Sequence, residues 1–200
     1  MPEIKERPIL FSAPMVRAIL EGRKTVTRRE VKKQAALDCL AAGFEPAFLA
    51  LPGNADLCPY GKPGERLWVR ETWAQPANLD PGPTVYRATY PDCIKGQGWE
   101  NLPPSSAIRW KPSIHMFRRD SRILLEITDV RVERLQAISR SDIRAEGLEC
   151  PAELASDDVS PNYRDWYPAA WRELWESING AGAWDANPWV WAITFRRVEQ

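Results

Sequence analysis

The chain has a single histidine, His115, and four cysteines, Cys39, Cys58, Cys93 and Cys150, with no C-x-x-C pair among them. Zinc needs clustered thiolates or imidazoles at matched distances, so this inventory argues against structural and deaminase-type zinc sites, and no metal or other cofactor is expected. The thiols are expected to be reduced and mostly buried. A lone imidazole also weakens any Ser-His-Asp or Cys-His scheme, because His115 would carry every proton transfer. It reads more readily as a hydrogen-bonded structural histidine than as a ligand, and acid–base chemistry falls to lysine and carboxylate. No run of about eighteen apolar residues occurs, and no charged-then-apolar leader with a cleavage site. Neither a membrane span nor a secretory signal is therefore expected, and the compartment expected is the cytoplasm. Charge of one sign is lacking too. With 27 basic and 27 acidic residues the net charge is zero, so attraction to a polyanion is not built into the whole molecule, although a local basic patch stays open.

Tryptophan, by contrast, is abundant: there are ten in 200 residues. Indole faces can stack on nucleobases, but most are expected in the core. Trp171 and Trp175 stand at i and i+4, helical spacing that implies one buried face, and Trp189 and Trp191 flank Val190 on one face of a strand. Trp73 and Trp110 sit beside charged residues in irregular segments and are the better candidates to line a pocket.

Pro8 to Phe11 reads as a first strand, and Ser12 can cap a helix through Leu20 that Gly22 ends, with Val26 to Arg29 extended after it. Residues 31 to 42 are alanine-rich and amphipathic and predict an inserted helix. Leu67 to Val69 and Val85 to Tyr90 are strand candidates, and the proline, glycine and asparagine between Pro76 and Pro112 predict long loops. Ile123 to Glu133 reads as one long strand or two consecutive ones. Ser139 can cap a short helix over Ser141 to Glu146 that Gly147 stops. A helix near 168 to 178 and a last strand, Trp189 to Arg197, complete the chain. No repeat or linker divides it. These elements predict one α+β domain over residues 1–200, whose strands can close into a small barrel.

The densest chemistry lies in Gly22-Arg23-Lys24-Thr25-Val26-Thr27-Arg28-Arg29. Lysine near threonine can act as base beside a nucleophile, provided the surroundings lower the lysine pKa. The same octet also reads as a basic surface turn. On an ideal strand Lys24 and Thr27 would face opposite ways, so the pair requires an irregular backbone near Gly22. Glu71 follows a strand beside Trp73 and stands either at a pocket rim or in a structural pairing with Arg70 or Lys62. Glu146 lies near a helix C-terminus, where a carboxylate opposes the macrodipole.

The string Gly22-x-Lys24-x-x-Thr27-x-Arg29, after a strand and short helix, resembles the signature of ASCH domains in the PUA-like superfamily. The usual signature has glutamate where this chain has Thr27. Threonine there, within G-R-K-T-x-T-x-R, resembles the bacterial amidohydrolases that remove the acetyl group from N4-acetylcytidine. Lys62 to Leu67 looks like the family's K-x-G-D-x-L run, and Trp189 to Arg197 is similar to its closing strand. Arg70 to Trp73, Arg109 to Met116 and Trp184 to Trp189 look closer to prophage-type ASCH proteins. The resemblance implies a PUA-like small β-barrel with flanking helices and insertions near 30–58, 76–112 and 149–167. It implies an amidohydrolase acting on N4-acylated cytosine or cytidine, with Lys24, Thr27 and Glu146 catalytic. Arg29 would stabilise an anion or orient Glu146, while Glu71, Trp73 and Trp110 would contact the substrate. Either Thr27 is the nucleophile, or Lys24 activates water that Thr27 orients. The substrate implied is a small nucleoside or nucleobase, with no membrane partner. The rival readings are an RNA-binding or ribonuclease ASCH protein, in which Arg23, Lys24, Arg28, Arg29, Lys32 and Lys33 contact phosphates, and a non-catalytic reader of modified bases.

Overall fold

The computed structural model describes residues 4–75, 82–97, 101–151 and 163–198. Five strands form one mixed sheet in the order β1 (Glu6–Leu10), β3 (Arg66–Arg70), β6 (Leu124–Arg134), β7 (Trp189–Val198), β2 (Val26–Glu30). The β1–β3 pair is parallel, and the other three neighbouring pairs are antiparallel. A two-stranded ribbon, β4 (Trp73–Ala74) with β5 (Val85–Tyr86), stands apart from it. The helices are α1 (Ala13–Leu20), α2 (Gln34–Ala41), α3 (Pro46–Leu49), α4 (Arg140–Ala145) and α5 (Tyr163–Asn179).

Strand β7 lies inside the sheet between β6 and the edge strand β2, and Val190 to Ile193 are all solvent-free. A strand buried on both faces loses alternation and reads as a continuous apolar run. Trp191, Ile193 and Phe195 join the main core with Ile9, Leu67 and Leu125, while Val190 joins a second cluster with Ile143, Tyr167, Trp171 and Trp175. In β6, Leu125 and Ile127 point inward, and strict alternation would next bury Asp129, Arg131 and Glu133. A bulge between Ile127 and Asp129 resets the register, so Val130 and Val132 face the core instead.

Two expectations change. The strands do not close into a barrel among the described residues: β1 and β2 remain the two edges of an open sheet. What spans from one edge to the other is a side chain, with Arg29 Nη2 donating to the Leu10 carbonyl at 2.5 Å. The strand expected over Val85 to Tyr90 stops at Tyr86, because Thr89 N turns back to the Tyr86 carbonyl and Arg87 N bonds Thr72 O. The segment near 30–58 holds α2, α3 and a 3-10 turn at Pro52–Leu57. Where described, the segment near 76–112 holds the short strand β5 and 3-10 turns at Asp92–Ile94 and Ser105–Ala107, and most of 149–167 lies outside the described residues. Helix α5 begins ahead of Pro168, which lies inside it. All four thiols are free, but Cys58 alone is buried, the others being half-buried. No helix among the described residues is long and apolar enough to cross a membrane.

Candidate active site

The site is built at the exit of α1. Gly22 adopts φ +76°, and the backbone amides of Arg23 and Lys24 both bond to the Ala18 carbonyl, at 2.9 and 3.0 Å. Lys24 therefore lies before β2, in an isolated antiparallel bridge with Glu146, and Thr25 N donates to Ala145 O at 2.8 Å. This irregular backbone sets Lys24 against Glu146, while Thr27 follows in the regular part of β2. On the opposite side, Ser139 Oγ accepts from Asp142 N and caps α4, which delivers Glu146 at its C-terminal end. Gly147 then turns away at φ +91°. A Cβ there would stand 2.8 Å from Ala18 Cβ and 3.0 Å from Lys24 Cβ, so the close approach of the two chains requires glycine.

Lys24 Nζ donates to Val26 O at 2.8 Å, Glu146 O at 2.9 Å and Glu146 Oε2 at 2.6 Å. These acceptors use all three hydrogens of an ammonium. Both side chains are sealed, at 0% and 2% exposure. Burial pulls the Lys24 ammonium below its ordinary pKa, Glu146 pushes it back up, and the Arg29 and Arg28 charges lower it again.

The other carboxylate oxygen of Glu146 accepts from Arg28 Nη1 at 3.2 Å. Arg28 is itself fully buried and bonds Glu133 Oε1 through Nε at 2.9 Å and Asp142 Oδ2 through Nη2 at 2.7 Å. Burial opposes its charge, but Glu146, Glu133 and Asp142 outweigh burial and hold the guanidinium above its ordinary pKa. The charge-opposing position of Glu146 at a helix end is thus offset by two buried cations. Arg29 lies 5.3 Å from the Phe11 ring centroid, and burial lowers its pKa against Tyr60 and Glu146.

A cavity of about 590 Å³ opens on this network. Thr27, Arg28, Arg29 and Glu146 line the end that meets it; Met15, Pro59, Tyr60, Trp171, Trp175 and Ile178 form its apolar walls; Glu30, Lys32, Lys33 and Asn179 complete the lining. Lys24 is not among the lining residues and lies behind them. Thr27 is 2% exposed, and its hydroxyl has no side-chain hydrogen bond among the described residues. Tyr60 has its phenol pKa raised by burial.

Other expected site residues lie elsewhere. Glu71 is buried, and its partner is neither Arg70 nor Lys62: Arg122 grips it by Nε at 2.8 Å and Nη2 at 3.0 Å. Arg122 Nη1 also donates to Thr89 Oγ1, and the guanidinium stacks 4.1 Å from the Tyr86 ring centroid. Trp73 is buried beneath Lys111, whose Nζ lies 4.5 Å from its ring centroid. Trp110 packs edge-on against Tyr90 at 5.8 Å and donates to Ser105 O. None of Glu71, Trp73 and Trp110 reaches the cavity lining. His115 is exposed on a 3-10 turn. The basic octet is not a surface patch either, since Lys24 and Arg28 face carboxylates inside the protein.

Sequence reasoning missed Arg28 as a site residue and the α5 tryptophans as cavity walls. Arg28 carries no local signal, because its partners Glu133 and Asp142 are more than a hundred positions away. Trp171 and Trp175 are core residues as their spacing implies, and also wall, because the helix face that they share borders both the second cluster and the cavity. No protein-family model, curated protein or solved structure matches this chain.

Proposed function

We propose that this chain is an amidohydrolase that removes the acyl group from N4-acylated cytosine or cytidine, in a PUA-like (ASCH) framework and a cytoplasmic setting. The observation that carries this reading is the layering of the site. Thr27 and Glu146 are on the cavity surface, and Lys24 is sealed behind them, so Lys24 acts on a substrate through those two side chains. That favours Thr27 as nucleophile over water activated directly by Lys24. The motif resemblance supplies the substrate class.

In the reactive form the shared proton sits on Glu146, and Lys24 is a neutral amine. Thr27 Oγ, which is not hydrogen-bonded to Lys24 in the resting arrangement, attacks the acyl carbonyl carbon as the neutral amine turns its lone pair from its present partners to take the hydroxyl proton, and the oxyanion forms near Arg29. Collapse breaks the carbon–nitrogen bond, and the departing N4 takes the proton from Glu146, aided by delocalisation into the pyrimidine ring. Water then gives a proton to the Glu146 carboxylate and attacks the Thr27 ester. Thr27 leaves with the proton held by Lys24, and the starting state returns.

A second reading, a reader of modified bases without turnover, is favoured by one feature: all three Lys24 donors are occupied, as in a structural ammonium. Incubation with N4-acetylcytidine and measurement of released cytidine separates the two. Turnover that is lost in Thr27→Ala supports the hydrolase, and an acyl-Thr27 adduct identifies its nucleophile. No turnover over a panel of N4-acyl cytosines removes the hydrolase reading.

A further inference from the structure

Trp171, Trp175 and Ile178 stand at i, i+4 and i+7 of α5 and so form one stripe of the helix. The first two are 3% and 4% exposed, but Ile178 is 50% exposed, a large apolar side chain left half in solvent. Trp175 and Ile178 border the main cavity and also an adjoining one of about 360 Å³, with Glu30, Lys32 and Asn179 common to both. The stripe is therefore continuous with the end that carries Thr27 and Glu146, and it leads away from that end.

We propose that this stripe of α5 is an acyl subsite, and that the preferred substrates carry a hydrophobic acyl group longer than acetyl. The proposal rests on the N4-acyl cytidine reading. Ribose has hydroxyls and cytosine a carbonyl and a ring nitrogen, all of which need hydrogen-bond partners when desolvated. Ile178, Met15 and Pro59 supply no strong side-chain partner, and the two indoles supply only their Nε1 donors, unpartnered among the described residues, and no acceptor for a hydroxyl, whereas an alkyl or aryl chain needs none. Size agrees. A volume of about 590 Å³ falls within the range that holds a whole small ligand, and an acetyl group would place a single methyl against this wall. Ile178 at the mouth is then the last contact of a longer chain.

The test measures affinity and turnover separately. Thr27→Ala protein is titrated calorimetrically with N4-acetyl-, N4-hexanoyl- and N4-benzoylcytidine, and the parent is assayed on the same compounds. Each buried methylene is worth roughly fourfold in affinity. Hexanoyl adds four, and with a half-exposed mouth we expect at least about tenfold tighter binding than acetyl. Adding Ile178→Ser, a change at an exposed position, should take away roughly fourfold or more of that ratio. Equal or weaker binding of the longer compounds overturns the subsite, as does a ratio that Ile178→Ser leaves unchanged. Graded binding with no turnover by the parent keeps the subsite and removes the hydrolase reading. Binding of none of the three removes both.

Discussion

Two buried glutamates, Glu146 and Glu71, are equally secluded, each with 2% side-chain exposure, and each is held by positive charge. They differ in how their oxygens are shared and in what lies beside them. Arg122 takes both oxygens of Glu71 in a planar fork, and the pair faces Thr89 and Tyr86 rather than a cavity. Glu146 gives one oxygen to Lys24 and the other to Arg28, and it borders about 590 Å³ of open volume. A guanidinium does not lose its proton in proteins, whereas a desolvated ammonium can. Glu71 is thus a fixed strut, whereas Glu146 has a lysine partner and a cavity beside it, and on the proposed mechanism it is one end of a pair that passes a proton. Burial and ion pairing do not distinguish them; access and a titratable partner do.

Removing the cation from each pair should separate the two glutamates most strongly. Lys24→Met leaves Glu146 buried against Arg28 alone and should cost about 3 to 5 kcal/mol of stability. On the proposed mechanism it should also lower turnover of N4-acyl cytidines by roughly 10²- to 10⁴-fold. Arg122→Met should cost less stability, about 1 to 3 kcal/mol, because that guanidinium is 22% exposed and water can replace part of the loss. Turnover should stay within about threefold. Chemical denaturation and steady-state rates check both. A turnover loss as large in Arg122→Met as in Lys24→Met would erase the distinction between strut and site.

Thr27→Val comes next, because it should move one observable and not the other. The hydroxyl has no side-chain partner among the described residues, so its loss strands no buried group, and stability should change by less than about 1 kcal/mol. Turnover should still fall by about 10³-fold, with substrate affinity retained. A rate within tenfold of the parent would take the nucleophile's role away from Thr27 and return it to water.

Legibility in the sequence followed the range of the forces involved. The helix after Ser12, the glycine exits at Gly22 and Gly147, the cap at Ser139 and the long strand β6 are local signals, and each is where the residues imply. Lys24 and Glu146 do meet, through the irregular segment before β2, and Thr27 shares the cavity lining with Glu146 but makes no hydrogen bond to Lys24. Whether the sheet closes depends on which distant strands pair, and no residue near β1 or β2 encodes that. Glu71 was ambiguous for the same reason, since Arg122, which settles its role, lies outside its neighbourhood in the chain. Trp73 and Trp110 drew notice from charged neighbours, yet Lys111 packs over Trp73 instead of leaving it open to a ligand.

The smallest effect is a tilt of stability with pH, and the two networks should tilt it in opposite directions. Burial raises the Glu71 pKa above 4.5, and the hydrogen bond and charge of Arg122 only partly restore it. Between 4.5 and the folded value the native state binds more proton than the unfolded chain, so stability falls as pH rises, by at most about 1.4 kcal/mol per unit. The contribution is complete below 4.5 and is lost through the folded pKa. Glu71→Gln should remove that slope, so the parent's advantage over the variant is greatest in acid and shrinks toward neutrality. Lys24 works the other way. Its folded pKa is below 10.5, so between the two values the native state binds less proton, and stability rises with pH. Lys24→Met should remove the rise between the lowered folded value and 10.5 and leave the slope of Glu71 that starts at 4.5 in place. If Glu71→Gln instead changed only the rising arm, or Lys24→Met only the falling arm, the assignment of a strut to one glutamate and a proton-passing pair to the other would be reversed.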